Sequence, residues 1–316
     1  MLRSRTLPSL SGTSLLISAR KGCRIAAFAA VASASTILCS LLGAGGVASA
    51  GAATPGSAFY LAIGGSASVG VQPTTSAPFG QPTSDGYAND LVNFEAAQGL
   101  PLQLDQIGCP GETTKTMLDG GDSCYQPSQS QLSTAILFLS THQADSGLVT
   151  IDLGFNNVVH CLKRQGPTKD CVDQGLDHIS EQLPQILTDL QVVAGPNVVF
   201  VGVGHYDPFL ADALHGREGQ FRANRSLQII GRLNEALSDI FHAHGIEVAD
   251  VASAFKSGDS TPTAMANGVT VPRNVADICA MTWMCVAPPN APNLHPNDLG
   301  YQSIASAIET KVPASL

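Results

Sequence analysis

The chain has 316 residues, 25 acidic and 16 basic, for a net charge of −9; only 13% are charged and 44% are hydrophobic. Such an acidic chain lacks the basic face that neutralises phosphates, which excludes a nucleic-acid binder. So much apolar sequence with so little charge also excludes a disordered chain.

The charge is unevenly placed. Five basic residues, Arg3, Arg5, Arg20, Lys21 and Arg24, precede the first acid, Asp85. After Arg24, Ile25 to Leu42 runs through eighteen residues without a charge, and Ala48-Ser49-Ala50 follows as a small-x-small cleavage signal. This layout predicts a secretory signal peptide over residues 1–50. The competing reading, an uncleaved anchor, is weakened by the many Ala and Ser in the run. Cys39 is preceded by Leu38, where a lipobox has a small residue. Without residues 1–50 the chain keeps eleven basic against 25 acidic groups, a net charge of −14. No second hydrophobic run occurs, so the remainder, 51–316, is expected to be one soluble domain outside the cytoplasm, with no stable membrane span after cleavage.

Ala58 to Ile63 is a short apolar run entering a Gly/Ser turn and predicts a buried strand. Leu102 to Ile107 is a second extended segment. Leu148 to Ile151 and Val198 to Val203 are β-branched runs ended by glycine, and Ile246 to Ala249 is a weaker one. Between them Leu176 to Val193 repeats Leu and Ile at helical spacing and closes on Gly195-Pro196. Phe221 to His244 is a long amphipathic helix closed by Gly245, and Tyr301 to Val312 is a last short helix. The stretch from Ser253 to Asn293 reads as a long irregular excursion. Strands alternating with helices predict an α/β fold, a three-layer α/β/α sandwich with a mainly parallel central sheet, whose sites form at the carboxyl ends of the strands.

Six cysteines remain beyond residue 50, an even number suited to an oxidising compartment. They allow fifteen connectivities. Their grouping favours three neighbour pairs: Cys109 with Cys124, Cys161 with Cys171, and Cys279 with Cys285. No C-x-x-C and no histidine at ligand spacing accompany them, so no metal is expected.

Small polar clusters stand at three strand ends and near the C-terminus. They are Gly64-Gly65-Ser66-Ala67-Ser68, Gly108-Cys109-Pro110-Gly111-Glu112-Thr113, Gly154-Phe155-Asn156-Asn157 and His295-Pro296-Asn297, the last followed by Gly300-Tyr301. Each alone is an ordinary turn. Their joint order resembles the four blocks of the SGNH (GDSL-type) hydrolase family, with GGSAS in place of GDSxS and GFNN in place of GxND. GET and HPN match the glycine and histidine blocks. The GCPGET and HYDPF stretches, with the six cysteines, resemble its secreted actinobacterial esterases and lipases.

The resemblance implies a serine esterase or lipase acting on an acyl ester of a small molecule or lipid. Ser66 would be the nucleophile and His295 the base that takes its proton and later protonates the leaving alcohol. The Gly111 N–H, the Asn156 amide and the Ser66 N–H would form the oxyanion hole. Such acyl transfer requires no metal or organic cofactor. Ser68 is a candidate helix cap, and His205 follows a strand end from which it could line the pocket. His142, His160, His242 and His244 read as surface or helix-end histidines. Met281, Trp283 and Met284, with Tyr206 and Phe209, read either as pocket wall or as packing.

Three carboxylates of the family pattern are absent: Gly65 and Asn157 stand where it has aspartate, and Pro292 and Asn293 stand where an aspartate precedes the histidine. The imidazole would then be oriented by a backbone carbonyl or by the Asn293 side-chain oxygen. The same absences motivate two alternatives: a catalytically impaired SGNH-fold protein that binds an acylated lipid or glycan, and an O-acyltransferase.

Overall fold

In a computed structural model, residues 58–163, 169–265, 267–287, 290, 292–314 and 316 are described. The expected signal segment lies outside these residues. The elements in chain order are β1 Ala58–Gly64, α1 Tyr87–Ala97, β2 Leu102–Gln106, α2 Thr114–Asp119, α3 Gln131–Thr141 and β3 Gly147–Asp152. Then come α4 Phe155–Lys163, α5 Lys169–Val193, β4 Val198–Val203, α6 Gly216–Ala243 and β5 Glu247–Ala249. The chain continues through α7 Val251–Ala254, β6 Pro262–Ala264, β7 Thr270–Pro272 and α8 Arg273–Met281 to α9 Asp298–Glu309. Two 3₁₀ turns, Ala67–Val69 and Pro208–His215, follow β1 and β4.

The central sheet has five strands in the order β2-β1-β3-β4-β5, every neighbouring pair parallel. A parallel sheet takes right-handed crossovers. The chain moves one way from β1 to β2 and the other way from β2 through β3 to β5, so its helices must fall on opposite faces. Alternate residues of β1 show the result. Phe59, Leu61 and Ile63 join a core with Met117, Leu139, Ile186, Leu190 and Leu233 from the helices α2, α3, α5 and α6. Ala58, Tyr60 and Ala62 join a second core with Tyr87, Leu91, Ile278, Tyr301 and Ile304 from α1, α8 and α9. Both faces are buried, which is why β1 reads as a continuous apolar run. The strand order reverses between β1 and β3, and a crevice opens there at the carboxyl ends of the strands.

Several elements differ from expectation, and α9 runs Asp298–Glu309 where Tyr301 to Val312 was expected. α5 starts at Lys169, because Gly175 does not interrupt it: a Cβ there would meet the Asn157 carbonyl at 2.5 Å, so the glycine lets α4 and α5 approach. α6 begins at Gly216, in a polar first turn that carries no apolar period. The expected irregular excursion holds α7, the antiparallel β6–β7 hairpin and α8. α2 and α3 are short helices opened by capping boxes, Thr113 with Thr116 and Ser130 with Ser133. The three neighbour disulfides are all present. No described helix is long and apolar enough to cross a membrane.

Candidate active site

The turn after β1 carries Ser66. Gly64 has φ +122°, and a Cβ on it would lie 1.9 Å from the Asp152 carbonyl, so only glycine lets β1 close this tightly against β3. Gly65 N–H donates to the Asp152 carbonyl at 2.7 Å, and Val71 N–H to the Ser66 carbonyl at 3.1 Å. Ser66 is the N-cap residue of the 3₁₀ turn, but its hydroxyl makes no capping bond. Ser68 is no cap either: it is buried, and its hydroxyl donates to the Gly65 carbonyl at 2.7 Å, tying the turn to itself.

A cleft opens over this turn, lined by Ser66, Asn156, His205, Tyr206, Leu294 and His295 among others. Nucleophile, oxyanion amide and base candidates from three separate blocks thus meet in one place. Gly111 lies outside the lining residues, on the exposed turn next to Glu112, with φ +93°. The Glu112 carbonyl accepts from Asn156 Nδ2 at 3.0 Å, linking that turn to the cleft.

His295 is held on all sides. Its Nδ1 is 2.7 Å from Asn293 Oδ1, which also accepts from the His295 backbone N–H at 3.0 Å. Asn293 Nδ2 donates to the Phe79 carbonyl at 3.1 Å. That second bond fixes which end of the amide faces the imidazole, because a carbonyl accepts and never donates. An acceptor opposite Nδ1 places the proton on Nδ1 and leaves Nε2 basic. Tyr206 donates its hydroxyl to the Leu294 carbonyl at 2.7 Å, and its ring stacks on Phe255. Trp283 N–H donates to the His295 carbonyl, while Asn293 N–H donates to the Trp283 carbonyl. The Cys279–Cys285 segment therefore backs the histidine loop as a hairpin, and the pocket-wall reading of Met281, Trp283 and Met284 is set aside. Of the other aromatic pair, Tyr206 lines the cleft and Phe209 does not.

Each missing carboxylate has a local reason. At Gly65, a Cβ would sit 3.1 Å from Asn156 Nδ2, so a side chain there crowds the Asn156 amide. Asn157 is buried: its Oδ1 accepts from Thr114 N–H and its Nδ2 donates to Thr114 Oγ1. Thr114 gives its own hydroxyl proton to Gln182, so residue 157 must supply a donor, which an aspartate lacks. At position 293 the amide is needed for the Phe79 carbonyl.

Sequence reasoning missed two buried acids here. Glu112 is fully buried and its carboxyl is pushed up to about 8, chiefly by burial. It accepts from Gln131 Nε2 at 2.6 Å, and Gln131 also brackets both backbone groups of Gly64. Asp152 lies beneath Ser66, and burial raises its pKa while His205 beside it works the other way. Asp152 lies in none of the polar turn clusters, and Glu112, within the Gly108–Thr113 cluster, carries no local mark of burial, so only the fold reveals both as buried acids. The bland histidines stay bland: the rings of His142 and His244 meet the carbonyls of Phe138 and Ile240 at helix ends. His160 meets the sulfurs of Cys161 and Cys171, which are spent on a disulfide.

The model of the GDSL-like lipase/acylhydrolase family matches residues 62–303. The chain belongs to this family. Among solved structures, an extracellular lipase from Streptomyces rimosus superimposes with a TM-score of 0.51 at 17% identity, over 81% of this chain and 100% of that one. Phospholipase A1 from Streptomyces albidoflavus NA297 covers the same shares with a TM-score of 0.49 at 17% identity. At such identity the likeness is one of fold. Among curated proteins, no sequence matches the chain. The family's α/β sheet is the one described above, and Asn297, two residues after His295, caps α9 by accepting from Gly300 N–H at 3.1 Å.

Proposed function

We propose that the chain is a secreted serine esterase that hydrolyses carboxylic acyl esters through an acyl-enzyme. The observation that carries this is the cleft that His295 lines together with Ser66 and Asn156, with the His295 imidazole in contact with Asn293. Ser66 Oγ attacks the ester carbonyl as His295 Nε2 takes its proton; Nδ1–H stays on Asn293 Oδ1. The oxyanion is met by the Asn156 amide with the N–H groups of Ser66 and Gly111; losing one such donor typically costs about 100- to 1000-fold in rate. On collapse, the alcohol leaves with the proton from His295, and a water repeats the sequence on the acyl-enzyme. Export is supported by the predicted signal segment and by three disulfides, which persist in oxidising compartments.

Asn in the orienting position is compatible with activity. Replacing a triad Asp by Asn costs about 10⁴-fold where the amide nitrogen faces the ring and imposes the wrong tautomer. Here the Phe79 carbonyl claims that nitrogen. What is given up is only the charge that stabilises the imidazolium. Turnover of p-nitrophenyl acetate and octanoate by the purified protein, against a Ser66→Ala control, tests the reading. Hydrolysis lost in the control is expected; no hydrolysis above the control would contradict it.

A further inference from the structure

One buried amide stands behind all three groups to which the mechanism above assigns the oxyanion. Gln131 is the first residue of α3, next to the Ser130 cap, and it is fully buried. The register of β1 with β2 runs only as far as Ala62 and Gln106. Two residues further on, Gly64 faces no residue of β2, and the Gln131 side chain stands in for one. Its Oε1 accepts from Gly64 N–H at 2.5 Å, and its Nε2 donates to the Gly64 carbonyl at 3.1 Å. A side-chain amide offers the same donor and acceptor as a peptide group, so Gln131 adds one rung to the ladder.

The second Nε2 hydrogen goes to Glu112 Oε2 at 2.6 Å. One donor and two acceptors around the amide fix which end is oxygen and which is nitrogen. Glu112 is equally buried, and its own N–H donates to the Cys109 carbonyl at 3.0 Å, closing the turn that holds Gly111 at φ +93°. Cys109 N–H in turn donates to the Gly64 carbonyl at 2.9 Å. The Glu112 carbonyl takes one hydrogen of Asn156 Nδ2 at 3.0 Å and leaves the other for the oxyanion. From Gln131, then, Gly64 leads to the Ser66 N–H in two residues. Glu112 leads to the Gly111 N–H in one residue and to the Asn156 amide through one bond.

We propose that Gln131 is a positioning residue: its amide sets the separation of the Ser66 and Gly111 turns at which their N–H groups and the Asn156 amide meet one oxyanion. The proposal rests on the esterase reading. Gln131→Met keeps the length of the side chain and deletes its three bonds. With p-nitrophenyl acetate its kcat falls about 10- to 100-fold, less than the loss of a whole donor, because the donors are displaced and not removed. The rate constant of fluorophosphonate labelling at Ser66 falls alike, while KM and the fraction of protein labelled stay near those of wild type. An unchanged rate constant, an effect confined to KM, or a loss only in the labelled fraction overturns the proposal. If circular dichroism shows this variant unfolded, Glu112→Ala decides. A labelling rate constant lowered about threefold or more, and recovered by Glu112→Gln, which keeps the acceptor, supports the proposal. An unchanged rate constant, or a loss that Glu112→Gln shares, overturns it. Failure of wild type itself to label sinks the esterase reading instead, so the two failures are told apart.

Discussion

Asn293 Oδ1 lies 2.7 Å from His295 Nδ1, and the same amide gives its nitrogen to the Phe79 carbonyl at 3.1 Å. In the proposed mechanism a neutral side chain thus takes the orienting half of a triad acid's task and omits the electrostatic half. Two substitutions separate the halves. Asn293→Ala removes the acceptor and lowers kcat by about 100-fold or more, within the span of general-base contributions. Asn293→Asp restores the charge and raises kcat about tenfold, while losing the Phe79 bond costs about 1 kcal/mol of stability. Steady-state kinetics with a melting curve check both; an alanine variant as active as wild type means that something else orients His295.

Tyr206 grips the opposite side of the loop through the Leu294 carbonyl. Tyr206→Phe keeps the stack on Phe255 and deletes this one bond. The expected result is a kcat lower by about two- to tenfold with little change in KM, matching a single neutral hydrogen bond. A change in KM alone would place Tyr206 in substrate binding.

The disulfides make distinguishable contributions. Closing fifteen residues, Cys109–Cys124 stabilises by about 3 kcal/mol in the chain-entropy account, whereas the shorter Cys279–Cys285 link gives about 2 kcal/mol. Only the second backs the histidine loop. Replacing Cys109 and Cys124 by serine therefore lowers Tm more, and replacing Cys279 and Cys285 lowers kcat at 25 °C more. Equal kinetic losses would contradict the hairpin's role. Peptide mapping without reduction recovers the three neighbour pairs.

Stability depends on pH through the buried acids. Glu112 has an ordinary pKa of 4.5 in the open chain and about 8 when folded; Asp207 rises from 3.8 to about 7, again by burial. Between those values the native state binds more protons than the unfolded one, so stability falls as pH rises from about 5 to about 8. Glu112→Gln removes its share, and the fall in Tm across that range shrinks by about 2 °C or more. An unaltered slope would mean that Glu112 is already ionised in the fold.

The sheet was legible because β1 is a continuous apolar run and β3 and β4 are short β-branched runs ended by glycine, and β4 begins and ends where the pattern places it. The cleft residues were legible as blocks because strand-end turns at the switch point must carry small polar residues. Hidden from sequence were the bonds that make Gly65, Asn157 and Asn293 fit. Each depends on a partner far away in the chain: the Asn156 amide, the Thr114 hydroxyl, the Phe79 carbonyl. Asp152 and Glu112 were invisible for the same reason, as nothing local marks an acid for burial. α2 and α3 escaped because their capping boxes use Thr and Ser at the third position instead of Glu or Gln.

Mass-spectrometric mapping of a fluorophosphonate adduct addresses the central claim most directly. The account predicts one adduct, on Ser66, formed by wild type, absent in Ser66→Ala and strongly slowed in His295→Ala. No adduct in the folded wild-type protein, or an adduct on another serine, would contradict it.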